Sequence, residues 1–155
     1  MSLKEIKNAK TLGALARALL AAPATLKAEQ NKISQYVAKY AIQRLIYETP
    51  VDTSQALSNW QVNLHTHTNI KLPAYFYGEY GTTQGISAST ALGAAYQQIA
   101  RKKYGMALVL YNNLTYINKL NAGASSQADA NYVNKIAEDA QNVADAALRE
   151  LIHGN

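Results

Sequence analysis

The chain has 155 residues, 48% of them hydrophobic and 16% charged, so it can bury a single core and is too apolar to be a disordered, solvating polymer. It holds no cysteine, which excludes disulfides and thiolate metal sites and removes any need for an oxidising compartment. A formal net charge of +5 allows an acidic neighbour such as DNA, but the bases are scattered and Arg101-Lys102-Lys103 is the only dense cluster, an ordinary pattern for a solvated helix end.

Residues 1–25 are predicted as an N-terminal amphipathic arm or helix, because Ile6, Leu12, Leu15 and Leu19 recur at helical spacing. Lys4, Lys7 and Lys10 ahead of an alanine- and leucine-rich stretch also have the outline of a signal peptide, but Arg17 interrupts the would-be apolar region. No apolar run is long enough to span a bilayer, so no membrane partner is expected. Residues 26–155 read as one α+β domain, opening with a helix from about Leu26 to Glu48. Its apolar, tyrosine-rich stripe is formed by Ile33, Tyr36, Val37, Tyr40, Ala41, Leu45 and Tyr47. Thr49-Pro50 ends it, since the residue before proline is pushed out of the helical region.

A strand follows, in which Trp60, Val62, Leu64 and Thr66 alternate with Gln61, Asn63, His65 and His67. Leu72 to Gly81 is aromatic-rich and broken by Pro73 and glycines, which predicts an extended arm or a projecting hairpin carrying Tyr75, Phe76, Tyr77 and Tyr80. Thr82 to Ser89 reads as a polar loop, and Ser89 to Lys103 as a helix stopped by Gly105. Met106 to Tyr111 is almost continuously apolar and so predicts a central strand paired with the Trp60 strand. From about Ala130 the chain carries its clearest helical pattern, through Tyr132, Ile136, Ala140, Val143, Ala144, Leu148, Leu151 and Ile152. The expected architecture is α+β, with long helices packed on a small antiparallel sheet.

Chemistry is poorly represented. His65 and His67, two apart with Asn63 beside them, could chelate a metal on one strand face, but no third ligand lies near and ordinary polar strand residues account for them. Asp52 beside Thr53 and Ser54 could form part of a nucleophile constellation, yet an Asx-type turn capping the following backbone explains it with less. No enzyme activity, cofactor or metal is expected. Trp60 is expected as a core anchor.

Two segments stand out by their order. Pro50-Val51-Asp52-Thr53-Ser54 leads through Ser58 and Asn59 to Trp60, and Asn112-Asn113-Leu114-Thr115-Tyr116 leads through Leu120 and Gly123 to Ser125-Ser126-Gln127-Ala128. The first resembles the P-V-D-T-G-x-x-x-x-N-W segment of the tail-completion or neck (head–tail connector) proteins of tailed bacteriophages. The second is similar to that family's N-N-x-x-Y-x-x-x-L-x-x-G-x-S-x-Q-A-P segment. Ser54 stands where that pattern has glycine, and Asp129 where it has proline. Against that pattern, residues from about 70 to 105 look like an insertion.

The resemblance implies a structural virion protein at the head-to-tail joint, present in the host cytoplasm during assembly. It would form a homo-oligomeric ring of about six- or twelve-fold symmetry that seals the head and meets portal or adaptor proteins and tail proteins. Non-specific contact with packaged DNA would follow from scattered lysines. The tyrosine bias, eleven against a single Phe, suits subunit interfaces. Candidate interface residues are Tyr75, Phe76, Tyr77 and Tyr80, with Asn112, Asn113, Tyr116, Gly123, Ser126 and Gln127 in the second segment. Those six could instead line a carbohydrate or nucleotide pocket, or hold their loop by bonding its own main chain. Asp52, Thr53, Asn59 and Trp60 are expected to structure the first turn. The alternative function is that of a small basic DNA-associated protein.

Overall fold

A computed structural model describes residues 24–153. The N-terminal arm or helix and the signal-peptide outline therefore lie almost wholly outside the described residues. Five α-helices and two strands follow in the order α1 (Ala24–Glu48), α2 (Gln55–Ser58), β1 (Trp60–Leu64), α3 (Gln84–Ala100), β2 (Leu108–Asn112), α4 (Ile117–Asn121) and α5 (Tyr132–His153). The mixed fold with long helices on a small antiparallel sheet is as the sequence implies.

The long helix α1 is the centre of the molecule, packed against α5 on one side and α3 on another. Its core-facing residues are Ala38, Ala41, Ile42, Leu45 and Ile46, of which Ile42 and Ile46 are fully buried, each stabilising the fold by about 1.5–3 kcal/mol. Tyr36 and Tyr47, placed by periodicity on the apolar stripe, are instead 60% and 50% exposed. A helix with neighbours on several sides buries small and branched residues between them, and leaves the bulky, polar-tipped tyrosines on the flanks.

Among the described residues the sheet has two strands, paired antiparallel in the register Trp60–Asn112, Val62–Leu110, Leu64–Leu108. The Met106–Tyr111 run is thus not a central strand. It is one edge of a ribbon, and every residue of β2 is only half-buried. Nor does β1 continue to Thr66: His65 turns into the left-handed region at φ 68°, its N–H held by Ala107 O, and the pleat ends at Leu64. His65 and His67 consequently share no strand face.

The polar stretch from Thr82 to Ser89 is largely helical, because α3 begins at Gln84, five residues earlier than the apolar pattern suggests, and it ends at Ala100 rather than Lys103. Ser87 explains the misreading. It is fully buried, and its hydroxyl accepts from the N–H of Phe76 and donates to the C=O of the same residue, so a polar side chain serves a core-facing position. Gly105, at φ 83°, turns the chain several residues after the helix has ended. Residues 65–78 contain no strand, so the aromatic segment is not a hairpin; it runs without regular structure into a short 3-10 turn at Glu79–Gly81.

Candidate functional site

The first sequence segment is a turn knotted by its own polar groups. Ser54 sits at φ 64°, ψ 2°, the left-handed conformation that costs a residue with a side chain about 1–2 kcal/mol. Its buried hydroxyl bonds Thr83 Oγ1 at 2.9 Å, while its carbonyl accepts from Ser58 Oγ at 2.7 Å. Asn59 is fully buried and acts as a surrogate strand: its amide donates to Gln55 O and Leu72 O, and its Oδ1 accepts from Leu72 N at 2.8 Å. Asp52 does not form the local Asx turn expected of it. Its Oδ1 accepts from Tyr80 N at 3.0 Å and its carbonyl accepts from Gly81 N, so it anchors the far end of the aromatic arm. Thr53 is half-buried beside it.

Trp60 is the core anchor expected, with Nε1 donating to Thr49 Oγ1 at 2.7 Å. Thr49 donates onward to Leu45 O, and the Tyr132 hydroxyl lies 3.2 Å from the same oxygen. Because the one Thr49 proton is committed to Leu45, Tyr132 is the donor in that contact. Three elements thereby meet on one buried hydroxyl. Burial pushes the Tyr132 phenol above its ordinary pKa.

The second segment is bonded to the first. Asn112 Nδ2 donates to Ala56 O at 2.9 Å while its Oδ1 accepts from Leu114 N, and Gln127 Oε1 accepts from Val51 N at 2.8 Å. Asn113 Nδ2 donates to Thr68 O and Ile70 O, which pins the start of the arm. Gly123 turns at φ 92°, and a Cβ there would lie 3.1 Å from Ala130 Cβ. These asparagines therefore hold main chain in place, but chiefly that of other segments: only the bond from Leu114 N to Asn112 lies within the loop itself.

Between the two segments lies a cleft of about 250 Å³, lined by Val51, Asp52, Ser54, Tyr116, Leu120 and Gln127 among others. Burial raises the pKa of the Tyr116 phenol at its wall. Ser126 is exposed, between Ser125 and Gln127, which line the cleft. The aromatic arm leaves from the same turn: Tyr75 packs on the core with its N–H bonded to Ser58 Oγ, whereas Phe76, Tyr77 and Tyr80 are 42%, 69% and 90% exposed. Gly78 lets the arm pass close to α3, since a Cβ there would stand 2.5 Å from Thr83 Cγ2. Rigid backbone thus presents three aromatic faces to solvent, beside a cleft of polar and apolar walls.

Sequence reasoning missed Thr49, Ser58, Ser87 and Asn121. Asn121 Oδ1 accepts from Val133 N at the start of α5, and its amide donates to Asn134. The only available signal was small polar residues within apolar runs, which also describes ordinary surface positions. His65 is exposed, and His67 stands edge-on to Tyr111 with ring centroids 6.0 Å apart. Among the described residues no three His, Asp or Glu side chains converge as a metal-binding group. Among them also, no helix is long and apolar enough to cross a membrane.

Compared with protein-family models, with curated protein sequences and with solved structures, the chain shows no match to any.

Proposed function

We propose that the chain is a structural virion protein of a tailed bacteriophage, forming an oligomeric ring at the head-to-tail joint that seals the head and receives the tail. The observation that carries this reading is the cross-bonding of the two segments that resemble neck proteins. Residues 76 apart meet through Gln127 and Val51, and Asn112 reaches back to Ala56. The glycine position of the resembled pattern falls on Ser54, whose φ of 64° is one that glycine adopts without strain. Both observations support a shared turn architecture.

A closed ring needs two different surfaces on each subunit. The exposed Phe76, Tyr77 and Tyr80 form one, because aromatic side chains give large contact area with little conformational entropy to lose. The cleft, with Tyr116, Gln127 and the adjoining Ser126, forms the second and meets a neighbour, a portal or adaptor protein, or the tail. A small basic DNA-associated protein is the weaker reading, since Lys102, the middle of the densest basic cluster, is only 8% exposed.

The test is particle assembly with the variant Tyr77→Ala/Tyr80→Ala supplied to phage lacking the wild-type chain. Both side chains point into solvent, so the subunit stays folded by circular dichroism while heads and tails remain unjoined. Normal particle yield would defeat the assignment of this surface. A duplex-retardation signal that falls steeply with salt, together with normal assembly, would favour the DNA reading instead.

A further inference from the structure

The outer edge of β2 is open among the described residues, and the pairing fixes which groups it offers. His65 N–H donates to Ala107 O, so the bonded pairs of the ladder are Asn63–Val109 and Gln61–Tyr111. The N–H and C=O groups of Leu108 and Leu110 therefore point away from β1. On β1 the matching groups of Leu64 are satisfied locally, its N–H by Asn63 Oδ1 and its C=O by Thr66 N–H. Those of Leu108 and Leu110 have no partner among the described residues. Beside this edge runs an apolar groove of about 730 Å³, walled by Leu108 and Leu110, by Ile33 and Val37 of α1, and by Ala144 and Leu148 of α5. Its stretch of α1, from Gln30 to Ala41, is about 16 Å long, the length of about five strand residues. At the end where β2 begins, buried Lys102 also lines the groove. Its Nζ donates to Asn31 Oδ1 at 2.9 Å and to Lys103 O at 3.4 Å, and it forms no ion pair among the described residues. An ammonium has three N–H donors, so one is left over. Burial lowers the Lys102 pKa, a cost that a carboxylate would offset. Lys27, 5.6 Å over the Tyr104 ring, adds a second cation at the same end, while Glu29 pairs with Lys32.

We propose that this groove takes a third strand, the C-terminal tail of a partner protein, extended antiparallel to β2, apolar at alternate positions and with its terminal carboxylate on Lys102 Nζ. Three observations select this occupant. An unpaired strand edge binds main chain, which an acyl chain or other small apolar ligand does not offer. A strand added antiparallel runs towards the beginning of β2, so its C-terminus arrives at Lys102, where a carboxylate meets a spare donor and an unpaired cation. The groove is also walled by α5, so it admits one extended chain, whereas edge-to-edge pairing of two copies needs an edge clear on its outer side. This surface is separate from the aromatic arm and the cleft, and the proposal does not depend on the virion reading.

The test uses the full chain and a library of random hexapeptides displayed with free C-termini. Enriched peptides should carry Val, Ile, Leu or Phe at alternate positions. The best of them, labelled at the N-terminus and titrated by fluorescence anisotropy, should bind about tenfold more weakly as its C-terminal amide. Methylating the peptide nitrogens that face β2 should abolish binding, because it removes the edge hydrogen bonds. Lys102→Met should weaken the acid by about tenfold and leave the amide unchanged. Leu148→Glu, at a partly exposed wall position, should weaken both, with the fold of each variant checked by circular dichroism. The comparison of acid with amide needs no variant, so it decides the matter even if Lys102→Met unfolds. No enrichment, an amide as tight as the acid, tolerance of N-methylation, or indifference to Leu148→Glu would overturn the proposal. Saturable binding of dodecanoate with no peptide enriched would also overturn it, by assigning the groove to a small amphipathic acid.

Discussion

Replacing Thr49 by valine removes one oxygen and keeps the side-chain shape. That oxygen accepts from Trp60 Nε1 at 2.7 Å and from the Tyr132 hydroxyl at 3.2 Å, in a site where Thr49 is 2% exposed. Valine leaves both donors buried with no acceptor, at about 1–3 kcal/mol for each unsatisfied group. The longer Tyr132 contact belongs at the low end of that range, so the expected destabilisation is about 2–4 kcal/mol. Exposed Thr66, replaced in the same way, should shift stability by no more than about 0.5 kcal/mol. Urea unfolding followed by fluorescence is well suited, because Trp60 is the single tryptophan and is buried. In the double variant Thr49→Val/Trp60→Phe one of the stranded donors is gone, so the two changes should be less than additive by about 1 kcal/mol. A Thr49→Val protein as stable as Thr66→Val would refute the shared-hydroxyl account.

Three further outcomes follow from the same geometry. At position 54, Ser54→Gly should be more stable than Ser54→Ala by about 1–2 kcal/mol in urea melts, because both lose the bond to Thr83 and only glycine escapes the left-handed strain. Asn59→Ala should destabilise by about 2–4 kcal/mol, since Leu72 loses partners for both its N–H and its C=O; hydrogen exchange at Leu72 should accelerate with it, and unchanged exchange would count against the role given to Asn59. The pKa of Tyr132 is raised on folding, so its contribution is fully present below the unfolded-state value near 10 and is lost as pH rises through the folded-state value. Wild-type stability should therefore fall on that alkaline side more steeply than that of Tyr132→Phe, as measured by urea melts across pH; parallel curves would contradict the shift.

The helices were legible where side chains repeat with one clear period. In α5 the stripe through Tyr132, Ile136 and Ala140 gives both the element and its buried face. The start of α3 was not legible, because Ser87 is a polar residue in a core position and its satisfaction depends on Phe76, eleven residues earlier in the chain. Likewise, the apolar run of β2 reveals a strand but not that it lies at an edge, since an uncovered strand and a central one share the same pattern. In the candidate site, the turn residues Asn59 and Trp60 and the exposed Tyr77 and Tyr80 were recognisable by type. Their partners were not: Asp52 reaches Tyr80 and Asn113 reaches Ile70 across long stretches of chain, and such pairings are set by topology.

The central claim is tested most directly by counting copies of this chain in purified phage particles, by quantitative mass spectrometry against the major capsid protein. A neck ring predicts a small fixed number, about six or twelve copies per particle, set by closed rotational symmetry. A chain abundant in infected cells and missing from the particles would contradict the claim.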